Sequence, residues 1–177
     1  SATSITYNFE ADDTSNNWNY TSDKTLSISD NDPSSISITT SEIPITGKSY
    51  NITANVTDNL AVAEVWLEYI ITDVDGNIVT DNITMDEGSW YKEIEIPNDA
   101  VDINYTIKAV DSSGNWNSSN TLHKEITDDV YPNILLNMVE NPIAGEEYTF
   151  NITVDENIHI DNVTLKYWTD VTDIQQD

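Results

Sequence analysis

The sequence predicts an all-β protein built from tandem sandwich modules, and three observations carry that prediction. First, the chain repeats itself at a spacing of 98 residues. Ile5, Tyr7, Ala11, Asp13, Asn17, Trp18 and Asn19 match Ile103, Tyr105, Ala109, Asp111, Asn115, Trp116 and Asn117. Pro44, Ile45, Gly47, Tyr50, Val56, Asn59, Val65, Leu67 and Tyr69 match Pro142, Ile143, Gly145, Tyr148, Val154, Asn157, Val163, Leu165 and Tyr167. A fixed spacing of this size marks an array of modules. Second, short segments with apolar residues at every other position recur between turn signals, the pattern of half-buried strands. Third, no segment of useful length carries a helical period, so the class is a two-sheet sandwich of about seven strands per module.

The 98-residue spacing divides the chain into residues 1–31, 32–130 and 131–177. The middle part is a complete module, of a size that buries a core without staples. Its strands are expected in order at residues 34–40, 50–57, 65–71, 78–85, 90–96, 105–109 and 121–127. In the second of these, Tyr50, Ile52, Ala54 and Val56 share one face and Asn51, Thr53, Asn55 and Thr57 the other. Val65, Leu67, Tyr69 and Ile71 share a face of the third. Asp75-Gly76-Asn77 is a hairpin signal. Glu87-Gly88-Ser89, Pro97-Asn98-Asp99 and Ser113-Gly114-Asn115 supply further turns. Residues 1–31 are expected to supply the last two strands of a preceding module, and residues 131–177 the first three of a following one. The chain begins at Ser1, which points to a processed protein or a window of a longer polypeptide. Half modules expose sheet edges and apolar faces. They are completed either by further sequence of the same polypeptide or by head-to-tail packing with another copy, which would build a filament by strand complementation.

Composition narrows the function. Thirty-two acidic residues stand against 6 Lys and no Arg, a net charge of -26. That balance argues against nucleic acid, which needs clustered cations, and against anionic membrane surfaces. It suits solubility, cation binding and a salty exterior. No Cys is present, so thiol chemistry and disulfides are excluded. No apolar run approaches the roughly 18 residues of a membrane-spanning helix. His123 and His159 occupy non-equivalent positions, no Gly-x-Ser-x-Gly occurs, and paired carboxylates are common by chance among so many acids. An enzyme is therefore not expected.

The stretch Tyr105-Thr-Ile-Lys-Ala109-Val-Asp111-Ser-Ser-Gly114-Asn115 resembles the sixth-strand signature of prokaryotic extracellular immunoglobulin-like repeats. Tyr7 to Asn17 is similar, with Asn16 in the place of Gly114. Asp58-Asn59 with Val65-x-Leu67-x-Tyr69, and Asp155 to Asn157 with Val163-x-Leu165-x-Tyr167, resemble the turn and third strand of the same modules. The absence of Arg and Cys, with richness in Asn, Asp, Ile and Thr, is similar to archaeal surface and S-layer proteins. The resemblance covers essentially the whole chain. It implies a structural role outside the cell, in a filament, a stalk or a surface layer. A carbohydrate-binding or adhesin module, and a spacer domain of a large secreted enzyme, are the rival readings.

Two kinds of site follow. Eight Asn-x-Ser/Thr sequons stand at Asn19, Asn51, Asn55, Asn82, Asn104, Asn117, Asn151 and Asn162, most of them opposite the apolar parity of their strand. That placement suits N-glycans on an exported protein, and equally suits plain polar-face residues. Acidic clusters recur near the module junctions: Asp30 and Asp32 before Pro33, Asp128 and Asp129 before Pro132, with Asp111 closing the sixth strand. Together they are candidate ligands for calcium, which takes several hard oxygens, in a manner similar to the linkers of cadherin-type repeats. The competing reading is a solvated linker with Asx turns. Asp73-Val-Asp75-Gly76-Asn77 lacks the downstream Glu of an EF-hand and reads as a hairpin turn. Trp18, Trp66, Trp90, Trp116 and Trp168 are candidate sugar platforms, though such a residue more often closes the end of a sandwich core or contacts the neighbouring module. Trp66 has solvent parity next to Glu64 and Glu68 and is expected at an intermodule or lattice contact.

Overall fold

In the segment Ser49–Thr57 every second residue faces inward: Tyr50, Ile52, Ala54 and Val56 are buried, while Asn51, Thr53 and Asn55 face outward. This alternation repeats through the computed structural model, which describes residues 2–137 and 140–168. The described residues hold strands and no helix. They form two compact units, Ser1–Asp129 and Val130–Asp177.

The first unit contains β1 (Ser4–Tyr7), β2 (Glu10–Asp12), β3 (Trp18–Tyr20) and β4 (Lys24–Ser27), followed by β5 (Ser35–Ile38), β6 (Ser49–Thr57), β7 (Val62–Asp73) and β8 (Ile78–Thr84). β9 (Tyr91–Glu95), β10 (Ala100–Asp111), β11 (Trp116–Ser118) and β12 (Leu122–Glu125) complete it. β5, β6 and β9 form one antiparallel sheet. The other runs β11-β10-β7-β8, with β12 also on β10. The two sheets enclose one core. Tyr50, Ile52 and Ile94 come from the first, and Val65, Leu67, Ile103, Tyr105 and Ile107 from the second. The result is a β-sandwich-like, all-β fold, as the alternation predicts. Burial pushes the Tyr50 phenol up from its ordinary pKa, with the Tyr105 hydroxyl beside it adding to the effect.

Several elements depart from expectation. β7 and β10 run longer than their apolar cores suggest, pairing from Ala100↔Asp73 to Asp111↔Val62. A register shift between Ala100 and Asp102 lets Ala100 and Ile103, of opposite parity, both face the core. The expected last strand is preceded by a separate short strand, β11, and both pair with β10. Residues 1–31 were expected to give two strands and give four short ones. β1 pairs with β4, and β2 with β3.

The second unit contains β13 (Asn133–Leu136) paired with β14 (Ile152–Asp155). The expected third strand is absent: residues 161–168 lie in no strand, and Val163, Leu165 and Tyr167 are exposed. Alternation alone does not make a strand, because the backbone needs a neighbour to bond to. β7 has one on each side. The end of the predicted third part, residues 169–177, lies outside the described residues.

Corresponding pairs recur 98 positions apart. Ile5↔Leu26 and Tyr7↔Lys24 have the register of Ile103↔Lys124 and Tyr105↔Leu122. Ala11↔Asn19 has that of Ala109↔Asn117. Ile134↔Val154 has that of Ile36↔Val56. Tyr148 Oη donates to the Glu140 carbonyl at 2.9 Å, as Tyr50 Oη does to that of Glu42 at 3.4 Å.

Candidate functional site

At one end of the first unit three aspartates converge. Asp30 lies on the segment between β4 and β5, Asp58 on the turn between β6 and β7, and Asp111 at the end of β10. One carboxylate oxygen from each lies within 4.8 Å of the others.

Local hydrogen bonding fixes each side chain. Asp58 Oδ1 accepts from the Leu60 and Ala61 N–H groups at 2.9 and 3.1 Å, and its Oδ2 accepts from Ser34 Oγ at 3.3 Å. Asp111 Oδ1 accepts from the Ser113 and Asn115 N–H groups at 2.8 and 2.9 Å, and its Oδ2 from Asn115 Nδ2 at 2.8 Å. These are Asx turns, in which a short carboxylate mimics a backbone acceptor. Asp30 Oδ1 accepts from the Asp32 N–H and from Asn59 Nδ2, both at 3.0 Å. Asp30 Oδ2 is sealed from solvent and accepts no hydrogen bond. Asn115 Nδ2 also donates to the Asp30 carbonyl at 3.2 Å, and Asn117 Nδ2 to the Ser34 carbonyl at 2.8 Å. The junction segment is thus tied to two loops of the sandwich.

Asp111 is 2% exposed. Burial alone would push its carboxyl up. The Asn115 side chain and the N–H groups of Asn115, Ser113 and Gly114 outweigh this and hold its pKa below the ordinary value. Asp13 and Asp73 are lowered by the same kind of turn, led in each case by the side chain four residues on, Asn17 and Asn77. None of the three Lys–carboxylate pairs among the described residues, Lys48–Asp129, Lys92–Asp86 and Lys108–Glu68, reaches the cluster. Three carboxylates at this separation could serve a hard divalent cation, whose ligand oxygens at 2.3–2.6 Å lie at most about 5 Å apart.

The sequence-derived candidates divide here. Asp30 and Asp111 belong to the cluster. Asp32 is exposed; its backbone N–H donates to Asp30, while its carboxylate accepts from Asn59 Nδ2 at 3.4 Å and is not one of the three that converge. Asp128 and Asp129 are engaged elsewhere: Thr46 Oγ1 donates to Asp128 Oδ1 at 3.0 Å, and Lys48 pairs with Asp129. Asp58 takes their place. In the sequence it stands only as part of a turn, and its spacing from Asp111 carries no signal until β6 and β10 are placed in one sandwich. Asp73 caps a hairpin turn, accepting from the Asp75 and Asn77 N–H groups at 2.9 and 2.8 Å.

Among the sequons, Asn19, Asn55, Asn82, Asn117, Asn151 and Asn162 are exposed, while Asn51 and Asn104 are half-buried. Asn51 Oδ1 is buried without a hydrogen-bond partner. Asn82 Nδ2 donates to Glu68 Oε1 at 3.2 Å, and Asn104 Nδ2 to Asp102 Oδ1 at 3.1 Å. Asn82 and Asn104 line an open groove of about 520 Å³ on the outer face of the larger sheet, with Glu68, Ile70, Thr80 and Thr106. Trp66 stacks on Trp116 with ring centres 5.0 Å apart and planes at 15°. Its solvent-side parity is therefore satisfied within the module. Trp90 packs against the core, and Trp18 and Trp168 are exposed. His123 Nδ1 lies 3.2 Å from Asn104 Oδ1, and His159 is exposed; neither belongs to the aspartate cluster.

No family model matches this sequence, and no curated protein matches it. Among the described residues no helix is long and apolar enough to cross a membrane.

Proposed function

We propose that the chain is a structural component of an extracellular surface assembly, a filament, stalk or surface layer, built from tandem immunoglobulin-like modules with a 98-residue period. One observation carries this reading: strand pairs in the same register recur 98 positions apart, and most of their apolar residues are less exposed in the middle copy than in the others. Ile103 and Tyr105 are 0% and 1% exposed, while Ile5 and Tyr7 are 53% and 37% exposed. A protein whose incomplete sandwiches carry exposed apolar faces is suited to packing modules in series.

The acidic surface and the sequons fit a solvated exterior. A divalent cation at Asp30, Asp58 and Asp111 fits the same role, since it would fix the angle at which the chain enters the sandwich. Calcium is the natural choice for a flexible, all-oxygen site. Glycans at the exposed sequons, and an archaeal source, belong to this reading.

Immunogold labelling of native cells with intact-mass measurement of the same protein tests it. Label on the cell surface and a mass raised in saccharide increments support the reading. Label confined to the cell interior, on protein of unmodified mass, would exclude it.

A further inference from the structure

The second unit carries an open apolar groove of about 610 Å³, lined by Ile134, Leu136, Phe150, Ile152, Val163 and Leu165 among others. Leu136, Ile134, Leu165 and Val163 are 67%, 60%, 55% and 49% exposed. Solvated apolar faces of this kind mark contact sites.

The first unit shows what covers such a face. Residues 98 positions earlier are Ile36, Ile38, Ile52, Ala54, Val65 and Leu67. Ile52, Val65 and Leu67 are 0% exposed and Ala54 is 3% exposed. Strand β10 lies along Val65 and Leu67, pairing Tyr105↔Tyr69, Ile107↔Leu67 and Ala109↔Val65, while Ile36, Ile38, Ile52 and Ala54 belong to the other sheet of the same sandwich. The chain carries a second segment of the same pattern in residues 4–12. There Tyr7, Phe9 and Ala11 stand 98 positions before Tyr105, Ile107 and Ala109. Phe9 is 69% exposed. Both parts of a sandwich are thus present, and each shows its apolar side.

We infer that the groove is a docking surface for residues 4–12 of a second copy of this chain. The segment pairs antiparallel with residues 163–167 in the register Tyr7↔Tyr167, Phe9↔Leu165 and Ala11↔Val163. This rests on the modular reading above and names its partner. Pairing supplies residues 163–167 with the backbone neighbour that a strand requires and takes both apolar sets out of water. A net charge of -26 makes copies repel at long range, so added salt strengthens the contact instead of weakening it.

The absence of Cys allows a clean test. Asn8 and Lys166 stand 98 positions from Thr106 and Glu68, which face one another across β10 and β7. Opposed residues on antiparallel strands lie within disulfide reach. Under mild oxidation, a mixture of the single variants Asn8→Cys and Lys166→Cys should give a disulfide-linked heterodimer that neither forms alone. The double variant should give a ladder of linear multimers. Adding Leu165→Asp, a change at an exposed position, should abolish both products. A disulfide closed within single chains of the double variant would overturn the inference, as would a mixture that yields no heterodimer. Amide hydrogen exchange separates the two possible failures. If the β1–β4 and β13–β14 ladders are protected while no heterodimer forms, the pairing falls and the modular reading stands. If those ladders exchange freely, both fall.

Discussion

At Gly47 the backbone has φ +66°, and an added Cβ would come within 2.2 Å of Asn98 Oδ1. At Gly76 φ is +83° and nothing lies within 4 Å of the same added atom. An L-residue in the left-handed region costs about 1–2 kcal/mol. Gly76→Ala should lose that amount, and Gly47→Ala more, because Asn98 must also move. Equal losses in urea melts of the two variants would contradict this account of Gly47. At Asp111 the argument concerns protons. Its folded-state pKa lies below the ordinary 3.8, so its contribution to stability is present above that value and is lost as the pH falls through the folded value. The stability gap between the wild type and Asp111→Asn should therefore hold from neutral pH down to about 4 and narrow below it. A gap unchanged at pH 3 would contradict the hydrogen-bonding account. Asp58→Asn keeps an oxygen that can accept from the Leu60 and Ala61 N–H groups but removes a charge from the cluster. Millimolar calcium should raise the melting temperature of the wild type by several degrees, reversibly with chelator, and have little effect on this variant. Equal shifts in both proteins would place the cation elsewhere.

Among the elements, those with strict alternation were the legible ones. Tyr50, Ile52, Ala54 and Val56 announce β6, and their burial follows from the two-residue period. The same rule over-reads Val163, Leu165 and Tyr167, because a pattern records which side chains could be buried and not whether a neighbouring strand is there to pair. The register shift at Ala100–Asp102 was hidden for a related reason: it breaks the parity on which the reading depends. In the candidate site, Asp30 and Asp111 were legible as acids beside the junction. Asp58 was not, since three loops distant in sequence meet only when the sandwich closes. Truncations should follow the same division. Ile107 is 0% exposed, and Ile107→Ala should cost about 2–5 kcal/mol through lost burial and a cavity. Phe9→Ala, at a residue 69% exposed, should cost the separate chain well under that. Denaturant melts at low protein concentration would decide this, and a comparable loss at Phe9 would mean that its face is already covered in the single chain.

On the scale of the molecule, the sequence, the paired ladders and the exposed faces point the same way. One sandwich is closed around its core, and strands of corresponding register on either side of it in sequence display apolar residues to solvent. In the proposed assembly the polar outer faces would give a solvated surface, and a cation at the carboxylate cluster would fix the entering chain. Electron microscopy of the native material tests this claim most directly. Packing in series predicts regular filaments or a lattice, with successive modules spaced at one sandwich length along the axis. Isolated, monodisperse particles that persist at high protein concentration and high salt would contradict it.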